Sequence, residues 1–399
     1  MKPLDIAIAG LGPAGLAAAL ALARSGHRVR LFDQFDEPRP VGSGLMMQPA
    51  GLAVLDWLGL GEALRRLGAP IDRLFGREAH SGRIVLDVRY ETLGNGRCGL
   101  AVHRAALFNV LFDKVKASGA AVETKVKIAA IDRMSGRRPV LVAGGGRRFG
   151  PFDLVIDALG SRSPLMDEAA APAARRSLAY GALWTTLPWI AGAFDARVLE
   201  QRYERASVMI GVLPVGRRFS GDSAQTTFFW SLKAENHARW KAQGLGPWRD
   251  QVTRLWPETE TLIAQIDDPD QMVLAAYGHH TLPLPFGDRV AFIGDSAHST
   301  SPQLGQGANM ALLDVRALCG ALDQASDLDQ ALAFYARQRR FHIRLYQLMS
   351  SMFTPFYQSD SHVLPLFRDW LVAPASRVPL VARALARIVS GDIGLGRDV

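Results

Sequence analysis

The chain has 399 residues, 48% of them apolar and 21% charged, a composition typical of a packed globular protein of about two domains. Two cysteines, Cys98 and Cys319, exclude a disulfide framework and a four-thiolate zinc site, so we expect a cytoplasmic protein without a metal centre. The net charge of +8 comes from scattered arginines, which does not favour nucleic-acid binding. The longest apolar run near the N-terminus, residues 16–23, is too short for a transmembrane segment, which needs about 20 residues.

The N-terminal segment predicts a strand, a glycine-rich turn, a helix and a second strand. The first strand covers residues 4–9 and the second covers residues 29–32. Between the first strand and the helix, residues 10–15 read Gly-Leu-Gly-Pro-Ala-Gly, the GxGxxG pattern of dinucleotide-binding folds. Its glycines permit, in order, a tight turn, approach of the backbone to a pyrophosphate and close packing of the helix. Asp33 lies 18 residues after Gly15, where its carboxylate can accept both hydroxyls of an adenosine ribose.

The middle of the chain is richer in strand-forming and aromatic residues. Segments 206–212 and 226–232 favour strands, and many aromatic side chains accompany them. Residues 177–275 therefore predict an antiparallel sheet. A few of its aromatic side chains could form an apolar pocket for an aromatic or lipid-like substrate.

A second ligand-binding pattern lies far downstream. A buried strand, residues 290–293, leads to Gly294 and Asp295 at its carboxyl end, the edge at which open α/β sheets bind ligands. A loop with Gly305 and Gly307 follows, then a helix from about residue 308 to 322. The first turn of this helix presents free N–H groups to a ligand.

The C-terminal part predicts helices. An amphipathic helix follows Asp327 and extends to about Phe353. Beyond it, four prolines between residues 355 and 379 predict shorter helices that cap the pocket or contact a partner subunit.

Together these motifs resemble the class A flavoprotein monooxygenases of the p-hydroxybenzoate hydroxylase fold, a group that includes ubiquinone-biosynthesis and salicylate hydroxylases. Four stretches match in order across nearly the whole chain: residues 10–15 with Asp33, 42–51, 103–107 and 294–314. The last is the most specific, because Gly-Asp-x-Ala-His is followed by a proline, two glycines and an asparagine at set spacing.

The resemblance implies an α/β fold in which a Rossmann-like FAD-binding domain carries an inserted antiparallel β-sheet substrate domain and a C-terminal helical segment. The corresponding boundaries are 1–76, 97–176 and 276–325 for the discontinuous FAD-binding domain, 77–96 and 177–275 for the substrate domain, and 326–399 for the helices.

The resemblance also assigns roles to single residues. Asp295 would bond hydroxyls near the FAD pyrophosphate, Arg104 would contact the pyrophosphate, and Gly44, Leu45 and Met46 would line the isoalloxazine ring. The complete predicted FAD-binding set is Gly10, Gly12, Pro13, Ala14, Gly15, Asp33, Gln34, Arg39, Gly44, Leu45, Met46, Arg104, Gly294, Asp295, Pro302, Gly305, Gly307, Ala308 and Asn309.

The implied activity is hydroxylation of an aromatic or heteroaromatic small molecule with molecular oxygen, through a C4a-hydroperoxyflavin, with NADH or NADPH as co-substrate. A general base would assist, and the sequence does not identify it. His279 and Tyr203 are candidates. The expected state is a monomer or a homodimer.

One motif departs from the family. The family has an Asp-Gly pair where this chain has Leu159 and Gly160, and its aspartate stands two residues earlier, at Asp157. That form is similar to geranylgeranyl reductases. A flavin reductase or dehydrogenase that does not oxygenate therefore stays open as the alternative function.

Overall fold

The computed structural model describes residues 2–37, 42–133, 138–376 and 378–395. Within these ranges the α-helices are α1 (Pro13–Arg24), α2 (Pro49–Trp57), α3 (Gly61–Arg65), α4 (Arg104–Ala117), α5 (His237–Gln243), α6 (Leu245–Leu255), α7 (Glu260–Ile263), α8 (Gly307–Gln324), α9 (Leu328–Tyr357), α10 (Leu364–Phe367), α11 (Ala373–Ala375) and α12 (Pro379–Ser390).

The strands of the same ranges are β1 (Asp5–Ala9), β2 (Arg28–Phe32), β3 (Gly44–Met47), β4 (Ala69–Ile71), β5 (Arg73–Glu78), β6 (Ile84–Arg89), β7 (Gly99–His103), β8 (Ala121–Glu123), β9 (Ile128–Asp132), β10 (Val140–Ala143), β11 (Arg148–Phe149), β12 (Leu154–Asp157), β13 (Arg176–Ser177), β14 (Tyr180–Pro188), β15 (Val198–Glu204), β16 (Val208–Gly216), β17 (Gln225–Lys233), β18 (Val273–Ala275), β19 (Gly278–Thr281), β20 (Phe286–Gly287), β21 (Val290–Phe292) and β22 (His298–Ser299).

A six-stranded sheet forms the centre of the first layer. Its order is β20-β21-β12-β1-β2-β8, and all neighbours are parallel except β20 and β21. The predicted strands at 4–9, 29–32 and 290–293 therefore lie in one sheet, with β12 between β1 and β21. Helices α1 and α8 pack together on this sheet, and α1 buries eight consecutive residues, mostly Ala and Leu, because small side chains allow close helix packing.

A seven-stranded sheet forms the second layer, in the order β18-β14-β17-β16-β15-β5-β6. It is antiparallel as predicted, except that β15 and β5 are parallel. Strand β5 begins at Arg73, ahead of residue 77, where the predicted substrate domain starts. Helices α5, α6 and α7 cover one face, where Phe228 and Trp230 of β17 are buried.

The other face of this sheet packs against a three-stranded sheet of order β3-β7-β4. Leu213 and Val215 of β16 form an apolar cluster with Met46 of β3, Ile71 and Ala101. On the same face Thr227 of β17 contacts Ser43 and Gly44, and Phe229 packs on Tyr203 and Met209. Both faces of β17 are covered, which explains why six consecutive residues of this strand are buried instead of every second one.

The long helix α9 packs against α8 and contacts the six-stranded sheet. Asp327 caps its first turn by accepting a hydrogen bond from the Gln330 N–H at 2.9 Å, and the Tyr335 hydroxyl donates to the Phe292 carbonyl at 2.8 Å. The helix continues to Tyr357, four residues past the predicted end. Among the described helices, none has the length and apolar character that crossing a bilayer requires.

Candidate functional site

The glycine-rich turn after β1 has the geometry that its sequence predicts. Gly10 has a φ of +103°, and a Cβ there would lie 2.4 Å from the Ala158 carbonyl oxygen. A Cβ on Gly15 would lie 1.9 Å from the Gly10 oxygen, so close packing excludes any side chain. A Cβ on Gly12 would meet no atom within 4 Å. Gly12 therefore opens the start of α1, which has no side-chain cap, towards a ligand.

Asp33 follows β2 directly and holds this turn. One carboxylate oxygen accepts from the Leu11 N–H at 2.9 Å, and the other accepts from the Phe35 N–H at 3.0 Å. Each oxygen keeps a second lone pair for a ligand hydroxyl. Gln34 lies in the bend that follows, and the predicted site residue Arg39 lies outside the described residues.

The downstream motif meets the N-terminal one at Gly294. A Cβ on Gly294 would lie 3.0 Å from the Ala311 side chain on α8 and 3.4 Å from the Ala14 side chain on α1. Gly294 therefore lies between the two helices. Asp295, next in the chain, is exposed at the carboxyl edge of the sheet, and its Oδ1 lies 3.9 Å from the Cβ position of Gly307.

A short turn and the hydrogen bonds of one buried side chain fix the loop before α8. Pro302 begins a short 3-10 turn, and Gly305 ends it with a φ of +61°. The side chain of Asn309 is fully buried. Its amide protons go to the Met46 and Gly305 carbonyls, and its oxygen accepts from the Gln48 N–H at 2.8 Å. Asn309 thus joins β3 to the loop and has no free proton for a ligand, whereas Gly307 and Ala308 begin α8 without a side-chain cap.

Arg104, the first residue of α4, lies beside the residues that precede β3. The Arg104 N–H donates to the Ser43 carbonyl at 2.9 Å, and a Cβ on Gly42 would lie 2.8 Å from the Arg104 Cδ. The Arg104 side chain is exposed and covers Gly42. Gly44 and Met46 face the second sheet, where a Cβ on Gly44 would lie 2.5 Å from Thr227 Oγ1. Leu45 points the opposite way, towards the core of the first layer.

A buried charge network supports the Gly294 turn, and the sequence reading did not find it. The Asp314 carboxylate accepts from the Gly294 N–H at 2.9 Å and from Arg339 Nε at 2.8 Å, and it bonds His298 Nε2 at 2.7 Å. Burial acts to raise the pKa of Asp314, but the charges and hydrogen bonds of His298 and Arg339 together lower it. Arg339 also bonds His342 Nδ1 at 3.2 Å.

The departure from the family at Leu159 has a structural explanation. Asp157 ends β12, is fully buried, and accepts from the Leu159 N–H at 2.9 Å and from the Ser163 hydroxyl. Burial raises its pKa to about 6, while these hydrogen bonds oppose the rise. This aspartate therefore shapes the turn and has no exposed oxygen for a ligand.

The two candidate bases lie in different surroundings. His279 is half-buried, and burial lowers its pKa. Tyr203 is buried, its hydroxyl donates to Gln201 Oε1 at 2.9 Å, and burial raises its pKa well above 10. Tyr203 therefore keeps its proton at neutral pH.

An aromatic group lies near Arg104. The sequence predicts that a few aromatic side chains of residues 177–275 form a pocket, but it does not indicate Tyr277, which lies outside that range. Trp184 stacks on Phe229, with ring centroids 4.6 Å apart, and its Nε1 donates to the Tyr277 hydroxyl at 3.0 Å. Burial raises the pKa of Tyr277 to about 12, although Trp184 and the nearby charge of Arg104 oppose it. Among the described residues, none accepts a hydrogen bond from the Tyr277 hydroxyl. No short-range sequence pattern indicates this group, because its members come from three separate strands or loops.

The residues of this edge fit an adenine dinucleotide. The open Gly12 backbone, the uncapped starts of α1 and α8, the exposed carboxylate of Asp295 and the exposed guanidinium of Arg104 match its phosphates and hydroxyls. Fold and site define a dinucleotide-binding α/β protein. Residues 3–345 match the family described as FAD binding domain, and the chain belongs to this family.

The chain is also similar in sequence to an FAD-dependent hydroxylase and to a monooxygenase. The chain is 25% identical over 345 residues to an FAD-dependent urate hydroxylase of Klebsiella pneumoniae, covering 84% of this chain and 86% of the relative. It is 26% identical over 353 residues to a 6-hydroxynicotinate 3-monooxygenase of Pseudomonas fluorescens, covering 82% and 85%. The crystal structure of Klebsiella pneumoniae HpxO complexed with FAD and uric acid superposes with a TM-score of 0.81 at 21% identity, covering 97% of each chain.

These findings confirm the predicted fold, the FAD cofactor and the resemblance to class A FAD-dependent monooxygenases. The two relatives are a hydroxylase and a monooxygenase by name, which favours oxygenation over the reductase alternative. The roles of individual residues in binding FAD stay predictions.

Proposed function

We propose that this FAD-dependent monooxygenase hydroxylates an electron-rich heteroaromatic compound, with NADH or NADPH and molecular oxygen as co-substrates. The observation that carries the proposal is the group formed by Trp184, Phe229 and Tyr277, which lies near Arg104. Uric acid and 6-hydroxynicotinic acid, the compounds in the relatives' names, are both hydroxylated nitrogen heterocycles. A flat ring with polar substituents suits an aromatic wall with one hydroxyl donor.

The chain's residues have three tasks in this proposal. The starts of α1 and α8 bind the pyrophosphate, while Asp33 and Asp295 accept hydrogen bonds from ribose and ribityl hydroxyls. When bound, FAD supplies the redox chemistry, taking electrons from the nicotinamide and activating dioxygen. The Trp184–Phe229 pair excludes water from the reacting edge, and the Tyr277 hydroxyl orients the substrate by donating a hydrogen bond.

The hydroxyls at the domain junction hold the cofactor strand against the substrate sheet. Ser43 Oγ lies 2.8 Å from Thr186 Oγ1 and 3.0 Å from Thr227 Oγ1. These bonds join β3 to β14 and β17, so the ring-lining stretch and the aromatic wall keep one relative position. We assign the seven-stranded sheet to the substrate domain and the parallel sheet with α1 and α8 to the FAD-binding domain.

We also propose that the protein works in the cytoplasm. Cys98 and Cys319 are free thiols, as expected for a protein that works in the cytoplasm. A monomer or homodimer is sufficient for this mechanism, because the proposed cofactor and substrate residues all come from one chain.

Oxygen incorporation tests the function. The purified yellow protein is mixed with NADH or NADPH and a panel of phenols and hydroxylated nitrogen heterocycles, uric acid and 6-hydroxynicotinic acid included, under labelled dioxygen. We expect at least one compound to accelerate nicotinamide oxidation and to gain one labelled oxygen atom by mass spectrometry. Reduction of bound FAD without label in any product would contradict the proposal and restore the reductase alternative.

A further inference from the structure

Large apolar side chains are exposed on one part of the molecule. Among the described residues, thirteen large apolar side chains are exposed, and ten of them lie between Phe341 and Val381. Scattered exposed apolar residues are ordinary, whereas a concentration in one segment indicates a surface that is covered in the working protein.

The long helix α9 carries the centre of this surface. Phe341, Leu348 and Met352 are 65%, 57% and 60% exposed, and their spacing of seven and four residues puts them on one side of the helix. Arg337 and Arg344 lie at i−4 and i+3 from Phe341, so they share this side, and Arg340 lies beside them. The result is a stripe about 22 Å long, from the rise of 1.5 Å per residue.

A second helix extends the stripe. The rings of Phe356 and Phe367 are 6.1 Å apart, which places α10 beside the end of α9. Phe367 and Leu366 on α10 are exposed. The apolar–basic face is defined here as Phe341, Leu348, Met352, Leu366 and Phe367, together with Arg337, Arg340 and Arg344.

The charge of this face has one sign. From Gln330 to the end of α9 at Tyr357 the sequence contains no aspartate or glutamate. Arg339 is neutralised by Asp314 in the interior, whereas Arg337, Arg340 and Arg344 are exposed and have no ion pair in the described part of the chain. Up to residue 395, where the described part of the chain ends, the acids that follow are already paired: Asp360 with Lys233, Asp369 with Arg368 and Asp392 with Arg97.

We infer that the apolar–basic face docks on the surface of an anionic phospholipid bilayer. Apolar side chains interleaved with arginine on one side of a helix enter the headgroup region, while the guanidinium groups bind lipid phosphates. A second copy of the chain fits this face less well, because a two-fold contact would bring the same arginines together without any carboxylate from α9.

The buried side of α9 connects this surface to the cofactor loop. Ser350 bonds the hydroxyls of Thr300 and Ser301 at 2.6 and 3.0 Å, and Thr354 bonds Ser301 at 2.6 Å. Docking of the outer side of α9 would therefore orient the loop that precedes Pro302 relative to the membrane. Because the face is defined by exposure, helix spacing and charge, its docking does not depend on the proposed substrate.

Vesicle sedimentation tests the inference with the FAD-loaded enzyme. The probes are vesicles of phosphatidylcholine mixed with phosphatidylglycerol, and vesicles of phosphatidylcholine alone. We expect binding to the mixed vesicles that weakens with salt, and little binding to the neutral ones. The triple variant Arg337→Gln/Arg340→Gln/Arg344→Gln should bind roughly 100-fold more weakly, at about fivefold per arginine near an anionic surface. The double variant Phe341→Ser/Leu348→Ser should also lose most of its binding.

Matched control variants test whether vesicle binding depends on this face or on exposed arginine and apolar side chains anywhere on the protein. Arg239→Gln/Arg254→Gln and Phe219→Ser change exposed residues of the same types on other parts of the surface, and both should bind like the parent protein. Retained FAD absorbance shows that each variant is folded. Equal binding to neutral and anionic vesicles, or equal losses in face and control variants, overturns the inference. A stable dimer that the face variants dissociate overturns it as well, in favour of a second copy.

Discussion

Replacement of Asp314 by asparagine tests how the Gly294 turn is held. The three groups around the Asp314 carboxylate are the Gly294 N–H, His298 Nε2 and the Arg339 guanidinium, and the site is fully buried. An amide in this place leaves Arg339 as a buried cation without its counter-charge, and its NH₂ group faces N–H donors. Breaking a buried ion pair on one side costs about 3–5 kcal/mol. We expect Asp314→Asn to lose that much unfolding free energy, a large part of the roughly 5–15 kcal/mol of a typical protein.

The assay is urea unfolding of parent and variant at pH 7, followed by circular dichroism. Asp329→Asn is the matched control, because Asp329 is an exposed aspartate in the first turn of α9. Its loss should cost about 0.3–1 kcal/mol, from its interaction with the helix dipole. FAD retention is measured in parallel, and Asp314→Asn should release FAD more easily because the Gly294 N–H loses its acceptor.

A second variant distinguishes the charge from the volume of the side chain. Replacing Asp314 by leucine together with Arg339 by methionine removes both charges, and an apolar pair of similar size often costs little. The double variant should therefore be more stable than Asp314→Asn. A loss below about 1 kcal/mol for Asp314→Asn, or a double variant that is less stable than it, would refute the reasoning about this network.

Three further outcomes follow from the site. Burial lowers the pKa of His342 to about 3, so its contribution to stability is complete above about pH 6.5 and is lost as the pH falls, because the unfolded state binds the proton first. Between pH 6.5 and 5 the unfolding free energy of the parent should fall with pH more steeply than that of His342→Gln, by about 1.4 kcal/mol per pH unit. Equal slopes for the two proteins, from urea titrations at several pH values, would contradict this. Asp295→Ala should weaken FAD binding at least about tenfold, since charge-assisted hydrogen bonds contribute about 1.5–3 kcal/mol. Equal FAD affinity by equilibrium dialysis argues against the site map. Tyr277→Phe should raise the KM for the substrate up to about tenfold with FAD affinity unchanged, and a changed FAD affinity with the same KM would place Tyr277 on the cofactor instead.

Elements with strong local patterns were predicted closely. The sequence predicts a helix at about 308–322, and α8 lies at Gly307–Gln324. It predicts a strand at 226–232, and β17 lies at Gln225–Lys233. Turn glycines and helix periodicity act within a few residues, so the sequence reports them directly. The strand expected at 206–212 lies at Val208–Gly216, because pairing with β15 and β17 sets its ends.

The sequence did not predict how strands from distant parts of the chain pair. The parallel contact of β5 with β15 joins residues more than a hundred positions apart, and no local pattern distinguishes it from an antiparallel one. For the same reason the sequence does not indicate that the Asn309 amide joins β3 to the loop before α8.

The sequence alone predicted the fold and the FAD cofactor from two separated segments, because each carries its glycines and its acid within a few residues. Only the tertiary structure decided what surrounds them: the Asp314 network behind Gly294, the Trp184–Tyr277 group near Arg104 and the exposed stripe of α9. The reason is physical. A tight turn and a helix start depend on neighbouring residues, whereas burial, ion pairing and exposure depend on which distant elements pack together.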